Sequence, residues 1–410
     1  MRQLYVFLCL LVAFAINAQY TGPGFYRVHN VSTDRYISIK GTHFEKKTSP
    51  DAFWACIKML PAADQDHVTD AGSLIYIPRL DQTSLYAQGV STYSLTGLLM
   101  DITESEVMHN GMVTYNAFTK YEDFPCHFRD RNGLTAGAGD KPETRWWIEP
   151  VSEESIDSSY FAVQPSNEAI KDSKGMYWTS LCCDFPFLIP ADGCVEGAYT
   201  VNEVLQDEDG LYYAITVKEY GKGEVVPAAT PVLLKCESAV ASGNKLIPTG
   251  EIANNTTFPL VNGLLMGNYF SNFLNYCSMN DYSARGEYIP EQAILATPEY
   301  LALGVNPDGK MGFFPKAEGT YMEANTAWLN IDGLALDGVT EVYLYELLPG
   351  DANGDGAVDI KDVSSLIDYL LGGDNAKAGR EITLKGADVN GDGVVDIKDV
   401  SSLIDQLLFG

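Results

Sequence analysis

Apolar positions along this chain change period once, near residue 349. Before that point they come in short runs of alternating polarity, such as 211–217 (LYYAITV) and 339–345 (VTEVYLY), closed by clusters of Gly, Pro, Asn and Asp. Alternation at a period of two places one face of a strand on a core, and turn residues at this spacing predict a mainly β build. Gly24 to Ile39 reads as a strand, a polar turn and a returning strand, and a short helix is expected near Pro50 to Leu60. After residue 349 the period becomes helical. Val363, Leu366, Ile367 and Leu370 fall at i, i+3, i+4 and i+7, and Val400, Leu403, Ile404 and Leu407 repeat that face, so two helices are expected to pack on each other.

Each predicted helix follows an acidic loop, and the loop is written twice, 37 residues apart. The first carries Asp351, Asn353, Asp355, Ala357, Asp359 and Asp362 at positions 1, 3, 5, 7, 9 and 12; the second carries Asp388, Asn390, Asp392, Val394, Asp396 and Asp399. Alternate side chains of a tightly curled loop converge, and Gly356 and Gly393 at position 6 take the sharp turn that a Cβ would obstruct. Ala357 and Val394 need offer only a carbonyl. An all-oxygen donor set at this spacing selects a hard cation, so two Ca²⁺ sites are expected. Asp near a helix start is also a good cap without metal. Two matching loops in register favour the metal reading. Position 12 is Asp rather than Glu, a shorter arm that must bring the helix closer to the ion.

On these residues, 349–410 resembles a type I dockerin, a small helical module of two EF-hand-like calcium loops that in its family binds a cohesin domain. The resemblance implies a cohesin-like partner and places partner choice at positions 10 and 11 of each loop, here Ile360, Lys361, Ile397 and Lys398. Best-studied members carry small hydroxyl residues at that pair, so Ile-Lys implies an unusual partner. Near-identity of the halves predicts that either can present the same face after a half-turn.

The N-terminus fixes an expected compartment. Met1-Arg2, an apolar stretch from Leu4 to Ile16 and Ala18 before Gln19 read as a signal peptide over 1–18, sending the protein outside the cell or to its surface. No later run is apolar enough to predict a transmembrane segment. Fifty-five acidic against 27 basic residues give a net charge of -28, which repels phosphate backbones and argues against nucleic-acid partners. Seven cysteines remain after cleavage, an odd number, and Cys183 to Cys194 is a candidate local bridge.

Two β regions are expected between these ends, 19–152 and 153–348, the second sandwich-like and possibly two units. The 24–39 hairpin resembles the opening of a ricin-type β-trefoil, and Arg145 to Pro150 its closing strand. In such trefoils an aromatic ring beside an acid can stack on a glycan; Tyr36 with Asp34, or Trp146 and Trp147, are candidates, although core packing explains these aromatics better. The second region resembles an uncharacterised β-rich domain of secreted and surface proteins of Bacteroidetes, with a recurrent phrase at Val226–Leu234 and Met322–Leu329 that reads as a turn entering a strand.

No catalytic signature emerges. Glu153, Glu154, Glu203 and Glu208 read as solvated strand ends, and His29, His43, His67, His109 and His127 show neither metal spacing nor a nucleophile motif. The favoured reading is a secreted, noncatalytic, calcium-binding protein that docks through its C-terminal module and is linked to polysaccharide binding or degradation. The alternative is a glycoside hydrolase with an unrecognised active site, since dockerins in their family most often accompany such enzymes.

Overall fold

The computed structural model describes residues 19–39, 57–81, 85–91, 101–121, 124–131, 134–137, 139–165, 170–172, 174–207, 210–253, 258–269, 294–336, 338–354, 357–372 and 385–409. The chain is mainly β up to residue 346 and helical in its C-terminal module. Residues 1–18, expected to be a signal peptide, together with His43, Cys56, Glu208 and Cys277 lie outside the described residues.

Asn30 shapes the first hairpin. Its fully buried side-chain oxygen accepts the amides of Ser32 (3.0 Å) and Thr33 (3.1 Å), which turns strand β1 (Gly24–Asn30) into β2 (Arg35–Ile39). Asp34 completes the turn in the left-handed region at φ 54°. On β1, Tyr26 to Asn30 pair antiparallel with Pro150 to Trp146, so the two ends of the first region form one ladder. Ile57–Pro61 is a strand antiparallel to β2, which corrects the helix expected near Pro50 to Leu60; 50–56 lie outside the described residues. Cross-strand pairing from Arg35↔Pro61 to Ile39↔Ile57 overrides the weak local helical signal.

Among the described residues these strands belong to one eleven-stranded antiparallel sheet. Tyr26, Val28, Ile37, Ile75, Tyr115, Trp146 and Ile148 fill its core, and Cys182, Leu260 and Tyr269 of the second region join the same cluster. A second cluster joins Phe25, Leu74 and Val151 to Phe161, Phe185 and Phe187. Buried Arg27 adds a polar link, donating to the carbonyl of Tyr160 at 2.9 Å. The two β regions therefore share hydrophobic core.

In the second region a ten-stranded sheet runs Tyr177–Leu181, Val232–Cys236, Val195–Gln206, Tyr212–Gly221, Val342–Glu346, Met311–Pro315, Tyr300–Val305, Thr326–Asn330, Leu265–Asn268 and Leu260–Asn262. The fourth and fifth of these pair in parallel, Tyr212↔Val342 to Thr216↔Glu346. Leu264 N donates to Val201 O at 2.7 Å, so the far end of the sheet curls back over a core of Trp178, Leu233, Leu301, Phe313 and Leu329. The recurrent phrase is a turn in both copies. Ala229 (φ 59°) and Asn325 (φ 57°) occupy its equivalent position, each just before a strand.

Cys182, Cys183, Cys194 and Cys236 are free thiols, so the expected Cys183–Cys194 bridge is not formed. Cys183 is buried in the apolar cluster with Phe185 and Leu234, whereas the Cys194 carbonyl accepts the amide of Glu237 beside the adjoining strand. Proximity in sequence did not bring the two sulfurs together.

Burial of Asp184 between the two regions makes a titration prediction. Desolvation raises its pKa to about 6, only partly offset by amides such as that of Gly89, which donates to Oδ2 at 3.0 Å. The folded carboxyl keeps its proton up to about pH 6 while the unfolded one releases it near 4, so stability from this group falls as pH rises through that window. His67 works in the opposite sense: burial first, then Arg27 and His29, lower its pKa to about 3, and stability is lost as pH falls below about 6.5. The difference between variant and wild type isolates the carboxyl. Asp184→Asn should gain on the order of 3 kcal/mol over wild type between about pH 4 and pH 7 in urea unfolding; a pH-independent difference would refute this.

Candidate metal centre and docking face

Asp359 and Asp396 begin the two helices, α1 (Ile360–Leu370) and α2 (Ile397–Phe409), because each side chain accepts the amide two residues on, Lys361 N and Lys398 N, at 2.7 Å. Asp at position 12 returns the favour, Asp362 accepting Asp359 N (2.7 Å) and Asp399 accepting Asp396 N (2.8 Å). The other oxygen of each accepts the amide of loop position 3, Asn353 at 3.0 Å and Asn390 at 3.1 Å. Asp362 and Asp399 are fully buried. Each short carboxylate thus ties the loop entry to the helix start.

The remaining donors follow the loop. Asp351, 2% exposed, accepts Gly354 N at 2.7 Å; Asp388 accepts Asp392 N (3.1 Å) and Gly393 N (2.9 Å); and Asn390 accepts Asp392 N at 2.8 Å. Gly393 takes φ 84°, the left-handed turn expected at position 6. Val394 is 59% exposed, as suits a residue used through its carbonyl, and Ala357 is also exposed. Asp355 and Gly356 lie outside the described residues.

Lysines stand against these acids. Lys361 Nζ is 3.0 Å from Asp359, and Lys398 Nζ is 3.4 Å from Asp396 and 3.5 Å from Asp392. The Lys361 amide and ammonium hold Asp359 below the usual carboxylate range, the Val394 amide does so for Asp392, and Asp396 with Asp392 pushes Lys398 up. Among the described residues no three His, Cys, Asp or Glu side chains converge as a metal cluster; in the second loop Asp388 and Asp392 accept the amides of Gly393 and Val394. The donor chemistry fits calcium: in the second loop four carboxylates and an amide oxygen, all hard oxygen ligands, are carried on a loop of twelve.

The two helices pack as expected, but on a narrower face. Val363, Leu366, Val400 and Leu403 are buried together with Ala352 and Ala387, while Ile367, Ile404 and Leu407 are each 38% exposed. Small alanines at the loop bases let the helices meet there, leaving the i+4 positions at the surface. Ile360 and Ile397 are 70% and 67% exposed, and Lys361 and Lys398 stand equally far out. Gly350 N donates to Gly386 O (2.8 Å) and Gln406 to Pro349 O (3.1 Å), closing the module on itself.

The aromatic candidates of the first region are buried instead. Tyr36 is sandwiched between the rings of His29 (4.2 Å) and His67 (4.0 Å), and Trp146 and Trp147 are 1% and 8% exposed, so their rings are filled by core neighbours. Asp34 pairs with His29 Nε2 at 2.9 Å. Glu153 and Glu154 are exposed, and Glu203 pairs with Lys385 of the C-terminal module at 3.1 Å.

One acidic pair was not foreseen. Buried Lys235 lies 2.6 Å and 2.8 Å from the two oxygens of Glu346 and 3.7 Å from Asp172. Both carboxylates line an open cleft of about 570 Å³. A glycosidase sets its two carboxyl groups on either side of the bond to be cut; here an ammonium occupies the space between them. Lys235 lies within an apolar strand, Val232–Cys236, and this lone charge is the only sequence signal of the network.

Residues 349–408 match the family model of the dockerin type I domain. That family carries calcium binding and cohesin docking, and the matched segment is the one built from the two loops. No curated protein and no solved structure matches the chain. No helix among the described residues is long and apolar enough to cross a membrane.

Proposed function

We propose that this chain is an exported docking protein whose C-terminal module takes up two Ca²⁺ ions and engages a cohesin-like partner. Residues 351–362 and 388–399 hold one ion each. The β regions, the first read as a β-trefoil, are a noncatalytic part linked to polysaccharide binding. The observation that carries this reading is the repeated bonding of Asp362 and Asp399 to positions 3 and 9 of their loops, in a segment matching the dockerin type I domain. Capture of the full chain on an immobilised panel of cohesin domains, in calcium and again in EDTA, tests it. Binding in calcium alone is expected; capture that ignores chelation would refute it.

Partner contact is assigned to the exposed Ile360, Lys361, Ile397 and Lys398. Because both halves present the same pair, Ile360→Asp with Lys361→Asp should leave affinity within about threefold, and the same changes in both halves should abolish it, the loss of buried contact and reversed charge together being worth several kcal/mol. Loss of all affinity on altering one half would show a single docking mode.

A further inference from the structure

We propose that the cleft between the ten-stranded sheet and the first acidic loop binds an acidic oligosaccharide of two or three sugars. Its volume of about 570 Å³ lies in the range of ligand sites, and it is open to solvent along one side. The walls come from two parts of the chain. Tyr213, Tyr343 and Tyr345 belong to the central strands of the sheet, and Asp351 and Gly354 to the first loop of the docking module.

Aromatic shape and charge together select the ligand. Tyr213 packs between Tyr343 (5.9 Å, rings tilted) and Tyr345 (6.4 Å, edge-on), an arrangement that keeps several apolar ring surfaces at one wall. Sugar rings present C–H faces that stack on such surfaces. Lys171, Lys174 and Lys310 are all exposed at the same cleft, Lys310 with its ammonium 5.2 Å from the Tyr343 ring centroid. Three exposed lysines along one cleft stand out on a chain of net charge -28, although the Lys171 ammonium also lies 4.3 Å from the Tyr177 ring centroid. The acids of the cleft are already engaged: Glu346 and Asp172 face Lys235, and Asp351 accepts Gly354 N. Carboxylate or sulfate groups on the ligand therefore meet cations, whereas a neutral sugar would leave those cations unused. Polysaccharide linkage is part of the reading above, on which this site rests; it needs no docking partner, but the wall made by Asp351 and Gly354 requires the first loop to be ordered, so calcium is kept present throughout.

Isothermal titration of the full mature chain with trigalacturonate, and with maltotriose as the neutral control, tests the assignment, calcium being matched in cell and syringe. Trigalacturonate should bind and maltotriose should bind at least tenfold more weakly. The exposed double variant Lys174→Glu/Lys310→Glu should weaken trigalacturonate at least tenfold while leaving the thermal unfolding midpoint and cohesin capture unchanged; Tyr213→Ala should weaken both sugars. Equal binding of the two sugars, no measurable trigalacturonate binding, or unchanged affinity in the lysine variant would overturn the proposal. Failure of cohesin capture with intact sugar binding would instead refute only the docking reading.

Discussion

Chelating calcium from the full chain with EDTA should abolish amide protection across 349–410 and leave the strands before residue 346 protected. The module cannot hold itself together on apolar contact. Its core is two Val, two Leu and two Ala side chains, each Val or Leu worth about 1.5–3 kcal/mol on burial, against a backbone cost of about 1–2 kcal/mol for every residue ordered. Asp362 and Asp399 are buried and bonded to backbone amides, and the acids of each loop repel one another when no cation sits among them. A ligand at a thousand times its dissociation constant stabilises by about 4 kcal/mol per site, enough to decide a fold this small. Hydrogen exchange read by mass spectrometry, with helical circular dichroism beside it, checks the outcome. Unchanged protection of α1 and α2 in EDTA would show that metal is not what orders them.

Lys235→Ala should destabilise the β region by about 3–5 kcal/mol, because it strands two carboxylates at the foot of the sheet. Lys235 is 4% exposed, and Glu346 also accepts from the Tyr199 hydroxyl at 3.2 Å, so the acid cannot swing to water without breaking a second bond. The Trp178 indole donates to Asp172 at 3.1 Å, which holds that acid in the same network. Removing charge on both sides tests the cause: Lys235→Met with Glu346→Gln should recover more than half of the loss, since a neutral pair no longer carries an unmatched ion. Urea unfolding followed by tryptophan fluorescence measures all three proteins. A double variant that recovers none of the loss would mean that the ion pair is not the source.

Legibility in the sequence followed the range of the interactions involved. The hairpin from Gly24 to Ile39 and the two loop-helix units depend on bonds spanning a few residues, such as Asn30 to Ser32 or Asp396 to Asp399, and these can be read locally. Strand order in the second region depends on pairings over a hundred residues apart, Tyr213 with Tyr343 among them, for which no local signal exists. Ile57–Pro61 was misread as helix for the same reason, its state being set by β2. Aromatic residues gave an ambiguous signal. Tyr36 beside Asp34, and Trp146 with Trp147, serve the core, while the cleft was assembled from tyrosines that alternation alone assigned to an ordinary strand. Of the two helical faces, the sequence pattern marked four positions each, and burial separates Leu366 and Leu403 from Ile367 and Ile404 only once the alanines at the loop bases are placed.

The parallel strand Val342–Glu346 lies in the middle of its sheet, between Tyr212–Gly221 and Met311–Pro315, although it is the last strand before the module. Folding of the second region therefore waits for the end of its own sequence: closing that pairing spans more than a hundred residues, a slow step by loop entropy, and until then Tyr212–Gly221 has an open edge. A chain stopped before Val342 would lose a keystone rather than a fringe. The residues that complete the sheet run directly into the first acidic loop at Asp351, so synthesis delivers the finished β region and the module proposed to tether it almost together.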